Sequence, residues 1–484
     1  MESLGKLLAE YRPFAGQYDE WNKCIKLNDK GVSMQVFEDD EYDLERAISE
    51  HYSESFSPRF IDYSSSIIAT RLLGAPLMTV RLTHLKNGGC VLGVCANHGL
   101  CDGDTFYSMM DRWAALARGT DLPPTVVIDQ SQVPFDPKRR TLAETKQAVE
   151  DQGWTWVSLP PAGLRLARIA TTEGILLHDQ HRSKPFHISN KALKRMKLAA
   201  ELDAKYGGRQ LKGPLTSNEV VSSFMCQMNA KILGFADNTP CGHSTMFNWR
   251  GRLKGLSPHF AGNASSAIGT CEFFAGSPLG HIAAAMNRGL DAFKTDADMV
   301  EEHCKLFLDC HHHGLIAHMS DPRSLPYLNP IPTSSVTNNF ARYPIYNVDF
   351  GTGKPDLVVP HHCGDQVIIW PRLDGDGVDV YFQGTTAKRV NAFTDPAEVA
   401  WLEAEMTKYE TVLDEDSIRA WFDFRMSPTA CAKDLQIKSD SLWTLNPVVV
   451  GRKPVSRNTS LWSAVMGFVM DSFVRPTAAI LEQS

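Results

Sequence analysis

The stretch from Leu77 to Gly119 constrains the fold more than any other part of the chain. Leu77 to Leu85 is rich in β-formers and partly alternates, Asn87-Gly88-Gly89 is a turn, and Cys90 to Asn97 is a compact apolar run. Two such runs flanking a glycine turn predict a β-hairpin of two buried strands. After Asp102-Gly103-Asp104, residues Phe106, Met109, Met110, Trp113, Leu116 and Ala117 recur on one face of a helix that Arg118-Gly119 ends. Strands feeding a packed helix call for an α/β fold. His98 falls where a buried strand gives way to a loop, and groups at strand carboxyl ends tend to line clefts.

At 484 residues and 53.8 kDa the chain exceeds one compact domain, so two are expected. Its 49 basic and 56 acidic side chains leave a net charge of −7, which argues against a nucleic-acid partner. An apolar content of 43 %, with glycine and proline spread throughout, excludes disorder and coiled coil. The longest late apolar run, Leu461 to Met470, is too short for a membrane span. No secretory signal is visible, and 11 cysteines without paired spacings suggest free thiols in a reducing compartment. A cytoplasmic, monomeric enzyme is expected, in which the sequons at Asn263 and Asn458 carry no weight.

Leu4, Leu7, Leu8 and Tyr11 have the spacing of a helix with one buried face, ended by Pro13 and Gly16. Residues 120–183, rich in proline and charge, read as a crossover. Lys184 to Lys197 reads as strand then helix, and Thr216 with Glu219 makes a capping box. That box starts a helix burying Val220, Val221, Phe224, Met225 and Met228. Gln366–Pro371 and Val378–Gly384 form a second hairpin. The expected division is a first domain at 1–133, a crossover at 134–183, a second domain at 184–395 and an extension of unknown role at 396–484. Trp443, Trp462, Phe468 and Phe473 suggest that the extension packs somewhere.

His98 and Asp102 form an HxxxD pair followed by Gly103. Asp102 could simply cap the helix, with His98 a plain loop residue. Alternatively a neutral imidazole there could take a proton from an attacking hydroxyl or amine. The second feature runs from Asn338 to Pro355 and ends in Asp349-Phe350-Gly351-Thr352-Gly353-Lys354-Pro355. A kinase reading of Asp349-Phe350-Gly351 fails, because no HRD loop, VAIK lysine or Gly-rich phosphate loop accompanies it. The cluster His303, Cys304, Cys310, His311, His312, His313 and His318 does not match a zinc module, and no metal site is expected. Nor is one expected at His361-His362-Cys363. Cys101 reads as a small buried hydrophobe, and Lys138-Arg139-Arg140 as a solvated patch.

HxxxDG in the first half and DFGxGKP in the second resemble the BAHD family of acyl-CoA-dependent acyltransferases. Further stretches resemble it in family order over about residues 1–395. These are Pro13-Phe14-Ala15-Gly16, Gly88 to Val94, Asp111 to Gly119, and Asn248-Trp249-Arg250 with Phe260-Ala261-Gly262-Asn263. The resemblance implies a two-domain fold like chloramphenicol acetyltransferase, with mixed sheets flanked by helices and a tunnel between the domains. It implies acyl-CoA as co-substrate, no permanently bound cofactor, and a small alcohol or amine as acceptor. His98 would be the base, with no covalent acyl-enzyme. Asp102, Gly103 and Arg250 would support its loop, and Asp349, Phe350, Gly351 and Gly353 would shape the interface. The helix after His98 looks most like that of hydroxycinnamoyl-CoA:shikimate-type members, which points towards an aromatic donor.

Five positions depart from the family pattern. Thr352 stands where Trp is usual and Asn248 where Asp is usual, while Asn338-Asn339-Phe340 replaces T-S-W. Phe340 lacks an indole N–H for a tetrahedral oxyanion, which leaves the amides of Asn338 and Asn339 as candidates. The chain also starts at the first helix without the family's lead-in strand, which suggests a truncated start. Two rivals remain: a peptide-synthetase condensation domain, which would carry a second histidine at Asn97, and an inactive binding protein that keeps the fold.

Overall fold

The computed structural model describes residues 1–426 apart from 20–23, 54, 66–68, 71–72, 121–138, 152–153, 159–180, 233, 320–333, 360–365, 385–395 and 413. Trp443, Trp462, Phe468, Phe473 and Lys138 lie outside the described residues, as do His361, His362 and Cys363.

In the first half, β1 (Gln17–Asp19) pairs with β2 (Cys24–Lys26). A three-stranded sheet follows from β3 (Ser33–Asp39), β4 (Met78–Leu85) and β5 (Cys90–Ala96), with β4 in the centre. The hairpin β4–β5 runs antiparallel from Met78↔Ala96 to His84↔Cys90, around a turn in which Asn87, Gly88 and Gly89 have positive φ. Only β4 is largely buried. As an edge strand, β5 keeps most of its residues partly exposed, so the expectation of two buried strands is corrected. The helix Glu2–Glu10 lays Leu4 and Leu7 against Met109, Met110 and Trp113 of the helix Gly103–Arg118, over Leu77, Met78 and Val80.

The crossover contributes the helix Leu142–Asp151 and strand β6 (Trp154–Ser158). Arg140 is not a solvated patch: it forms ion pairs with Glu302 and, at 2.8 Å, with Asp309, while its main-chain oxygen contacts His313 Nε2 at 2.7 Å.

The second half carries β7 (His181–Arg182), β8 (Phe186–Ile188), β9 (Pro240–Asn248), β10 (Ser265–Phe274), β11 (Leu315–Met319), β12 (Ser334–Asn339), β13 (Gln366–Pro371) and β14 (Val378–Gly384). β11 pairs with β6, which ties the crossover to this half. The other strands form one mixed sheet in the order β10-β9-β12-β13-β14-β7, with β8 also on β14. β12 runs parallel to both of its neighbours.

Strand alternation sorts the two faces of this sheet. Val367, Ile369, Val380 and Phe382 face the helices Asn190–Tyr206 and Ser217–Ile232, where Met196, Val220 and Phe224 meet them. Ile368, Trp370 and Tyr381 face the other way, towards Tyr107 of the helix after His98. The helix Ser217–Ile232 begins as expected, with Thr216 N–H donating to Glu219 Oε2 at 2.6 Å and Glu219 N–H to Thr216 Oγ1 at 3.2 Å. It is buried well beyond the expected stripe, Ser222, Ser223, Cys226 and Asn229 included.

The helices Pro396–Thr407 and Glu415–Met426, with Lys408–Val412 after the first, add to the same core. Leu402, Met406, Tyr409 and Ile418 pack into it, and Glu410 accepts from Ser189 N–H at 3.0 Å and Ser189 Oγ–H at 2.7 Å. Among the described residues, no helix is long and apolar enough to cross a membrane.

Candidate active site

His98 follows the end of β5 on a tight turn. Asn97 N–H donates to Leu77 O at 2.9 Å, its Oδ1 accepts from Gly99 N–H at 2.9 Å, and Leu100 N–H closes on Asn97 O at 2.9 Å. Leu100 and Cys101 are buried beneath the turn, so the loop is anchored on both sides of the histidine. His98 is partly exposed as a residue, whereas its Nδ1 is buried. Desolvation holds its pKa below the ordinary value, against the pull of its own backbone carbonyl, of Asp102 and of the Asn263 side chain. A ring kept neutral in this way can accept a proton.

Asp102 does two jobs at once. It caps the helix Gly103–Arg118 by accepting from Thr105 N–H at 3.1 Å. It also receives the Arg250 fork, Nη1 to Oδ2 at 2.7 Å and Nη2 to Oδ1 at 3.0 Å, as well as Ala264 N–H at 2.9 Å. Both carboxylate oxygens are thereby engaged away from the imidazole. The Arg250 side chain is only 3 % exposed and also donates to Phe260 O at 2.7 Å, Gly262 O at 2.8 Å, Thr105 Oγ1 at 2.9 Å and Asn248 Oδ1 at 3.3 Å. A buried pair of this kind is tolerable because each lone pair and each proton finds a partner.

The departure at Asn248 has a local explanation. Its Oδ1 accepts from Arg250 N–H at 3.0 Å, and its Nδ2 donates to Asp104 Oδ2 at 2.9 Å. An aspartate here would set a second carboxylate against Asp104, whose own pKa is already raised by burial.

Gly103 is a point of close approach. A Cβ on it would lie 2.6 Å from Phe340 Cε1. Phe340 is 2 % exposed and packs with Tyr107, Ile345, Trp370 and Tyr381, so it serves as a hydrophobic floor beneath the start of the helix. Asn339 points to the helical face of the sheet, donating to Asn218 Oδ1 at 2.9 Å and accepting Ala341 N–H at 2.9 Å. Asn338 lies beside Ile368 in the parallel register and so faces the first half. No described residue hydrogen-bonds its side chain.

In the second motif, Asp349 folds back to accept Gly351 N–H at 2.7 Å and Gly353 N–H at 2.9 Å. Those glycines have φ of +110° and +106°, values that side-chain-bearing residues avoid. Phe350 meets Trp113 edge-on at 5.0 Å, and Arg118 donates to the Asp349 carbonyl. The motif thus clasps the far end of the helix that Asp102 caps.

Sequence reasoning assigned no role to Thr105, Asn263 or Ala264. Thr105 Oγ1 accepts from Gly262 N–H and Arg250 Nη2, and Asn263 Nδ2 donates to His98 O at 2.7 Å. The segment 260–263 resembled a family stretch, but its register on a loop about 160 residues earlier has no local signal. Burial of the Cys101 thiol pushes its pKa up, away from nucleophilic use. Among the described residues, no three metal-ligating side chains converge, and His303 is buried against Ser266 Oγ at 3.1 Å.

The Transferase family model matches residues 1–398. Rosmarinate synthase of Plectranthus scutellarioides is 25 % identical over 74 % of this chain and 77 % of its own. Agmatine hydroxycinnamoyltransferase 1 of Oryza sativa subsp. japonica is 24 % identical over 78 % and 82 %. Among solved structures, F. sporotrichioides TRI101 complexed with coenzyme A and T-2 covers 82 % of this chain and 89 % of its own, at a TM-score of 0.56 and 16 % identity. Vinorine synthase covers 81 % and 82 %, at a TM-score of 0.53 and 15 % identity. At these identities the two structures share the fold.

Proposed function

The chain belongs to the Transferase family of BAHD acyltransferases, and from that premise we propose that it moves an acyl group from acyl-CoA to a hydroxyl or amine. The carrying observation is that His98 sits on a first-half loop held from the second half, by Arg250 on Asp102 and by Asn263 on the His98 carbonyl.

In the proposed reaction His98 takes the acceptor's proton as its oxygen or nitrogen attacks the thioester carbonyl. The tetrahedral intermediate collapses, the C–S bond breaks, and the proton passes to the leaving thiolate. The acyl group goes directly to the acceptor, so no acyl-enzyme forms. Base catalysis of this kind contributes about 10²–10⁴-fold, and the remainder must come from positioning and charge stabilisation. Asn338 is the favoured oxyanion donor of the three motif residues, because Asn339 is committed to Asn218 and Phe340 has no side-chain N–H. A hydroxycinnamoyl donor is suggested by the names of the relatives, among them the shikimate O-hydroxycinnamoyltransferase of Nicotiana tabacum, 23 % identical over 74 % of this chain. The two-domain division, at 1–133 and 184–395 around a tunnel, belongs to the same proposal, with 396–426 joined to the second domain.

The test is free-thiol release from a panel of acyl-CoA esters with candidate alcohols and amines. Release that requires an acceptor, and that His98→Ala abolishes without loss of fold, supports the reading. Substantial transfer by folded His98→Ala protein sinks the mechanism.

A further inference from the structure

We propose that Met246 and Val336 form the floor of the acyl subsite, with Met246 setting the size of acyl group that the chain accepts. The inference rests on the reading of the protein as an acyl-CoA-dependent transferase and assigns the donor's acyl group a place in it.

Alternation along β9 and β12 sorts their residues between the two faces of the sheet. On the helical face, where Cys226 meets His243 and Asn218 meets Asn339, the side chains of His243, Thr245, Phe247 and Thr337 are buried. On the opposite face, towards the first half, Met246, Asn248, Val336 and Asn338 are only partly buried. On the adjoining β13 and β14 that same face is shut, with Ile368, Trp370 and Tyr381 at most 1 % exposed beside Tyr107. The first half therefore seals one part of this face and leaves the part over β9 and β12 open.

The open part begins at the His98 loop. There Asn248 donates to Asp104, Phe340 abuts Gly103, and Asn263 donates to the His98 carbonyl. Met246 and Asn338 stand one pleat inward from Asn248 and Phe340, two residues and about 6.6 Å along their strands. Ser244 and Val336, side by side in the parallel register, stand one pleat further. Ser244 is 1 % exposed, so the opening closes over it. A path thus leads from the His98 loop across Met246 and Asn338 and ends at Val336 and Ser244.

Chemistry selects the occupant. No charged side chain stands at these four positions, so the phosphates of coenzyme A have no partner there. The thioether of Met246 and the methyl groups of Val336 suit an apolar tail. Asn338, the amide proposed above as oxyanion donor, puts the acyl carbonyl at the nearer row, and the tail then runs past Met246 towards Val336. Met246 is the largest and most flexible side chain of the four. It is also partly exposed, so replacing it changes the space of the path more than the packing of the core.

The test compares kcat/KM for acetyl-CoA and p-coumaroyl-CoA in wild type, Met246→Ala and Met246→Trp, with an acceptor found by the free-thiol screen. Met246→Ala should raise the p-coumaroyl to acetyl ratio about 10-fold and Met246→Trp should lower it about 10-fold, the scale on which an apolar pocket discriminates by volume. The acceptor's KM should change little. Val336→Phe, on the neighbouring strand, should act as Met246→Trp does, and it serves if the tryptophan variant does not fold. Calorimetric Kd values for both esters, measured in a His98→Ala background so that no transfer intervenes, should move in the same direction. Unchanged ratios in folded, active Met246→Ala and Met246→Trp overturn the proposal, as does a shift confined to the acceptor's KM, which would place the acceptor on this floor. If wild type binds both esters but transfers neither acyl group, the functional reading fails alone, and the Kd ratios still decide the role of Met246. If neither ester binds, both fall.

Discussion

Asp102 and Arg250 show how much of the site depends on single side chains. Removing the carboxylate in Asp102→Ala strands a guanidinium that is 3 % exposed and deletes a helix cap. Asp104, 3.8 Å from Arg250 Nε, takes up only part of the unbalanced charge, because burial works against its ionisation. The expected loss is about 3–5 kcal/mol, read as a lower denaturant midpoint, and activity should fall with it. Asp102→Asn, which can still cap, should lose less. Asp102→Ala with Arg250→Met should recover part of the loss by removing the stranded charge. Equal midpoints for Asp102→Ala and wild type would contradict the account. This pair was legible in the sequence only through family resemblance, since 148 residues separate its members.

At the scale of elements, the helix Gly103–Arg118 is the pivot. Its apolar face was readable: Met109, Met110 and Trp113 are buried as the 3.6-residue spacing requires. The sequence also suggested Ala117 on that face, yet it is exposed, whereas Tyr107 and Ala114 on other faces are buried. Periodicity assumes one buried stripe, but this helix is gripped by its own half on one side and by the second-half sheet on the other. Gly103 is the closest point of the second contact. Gly103→Ala should therefore destabilise by about 1–3 kcal/mol, although alanine is the better helix former, because its Cβ would meet the fully packed Phe340 ring. Phe340→Leu made alone should also cost stability, and in the double variant the alanine should cost less than in wild type. A double-mutant cycle measures that coupling, and simple additivity would show that the close approach is not what glycine is needed for.

For the whole molecule, local pattern announced the hairpins, the capping box and the two motif loops, because each is decided within about twenty residues. The joining of the halves was not legible: which face of β12 meets which helix, or that β6 pairs with β11, depends on burial shared across hundreds of residues. The same long-range burial has a consequence for acid stability. His243 and His303 are enclosed within the second half, and desolvation lowers their pKa values to about 3 and about 4. In the unfolded chain each titrates near about 6.5. Between those values the unfolded state binds more protons than the folded state, so stability is complete above pH 6.5 and is lost as pH falls. At pH 5 each histidine should have cost about 2 kcal/mol, a loss that carboxylates such as Asp39, held down to about 2 mainly by Arg59, do not yet share. Denaturant midpoints measured from pH 7.5 to pH 5 should decline along this course. His303→Gln, which keeps a hydrogen-bonding group for Ser266, should flatten the decline by roughly half. A midpoint that holds steady down to pH 5 would show that neither histidine remains neutral by burial.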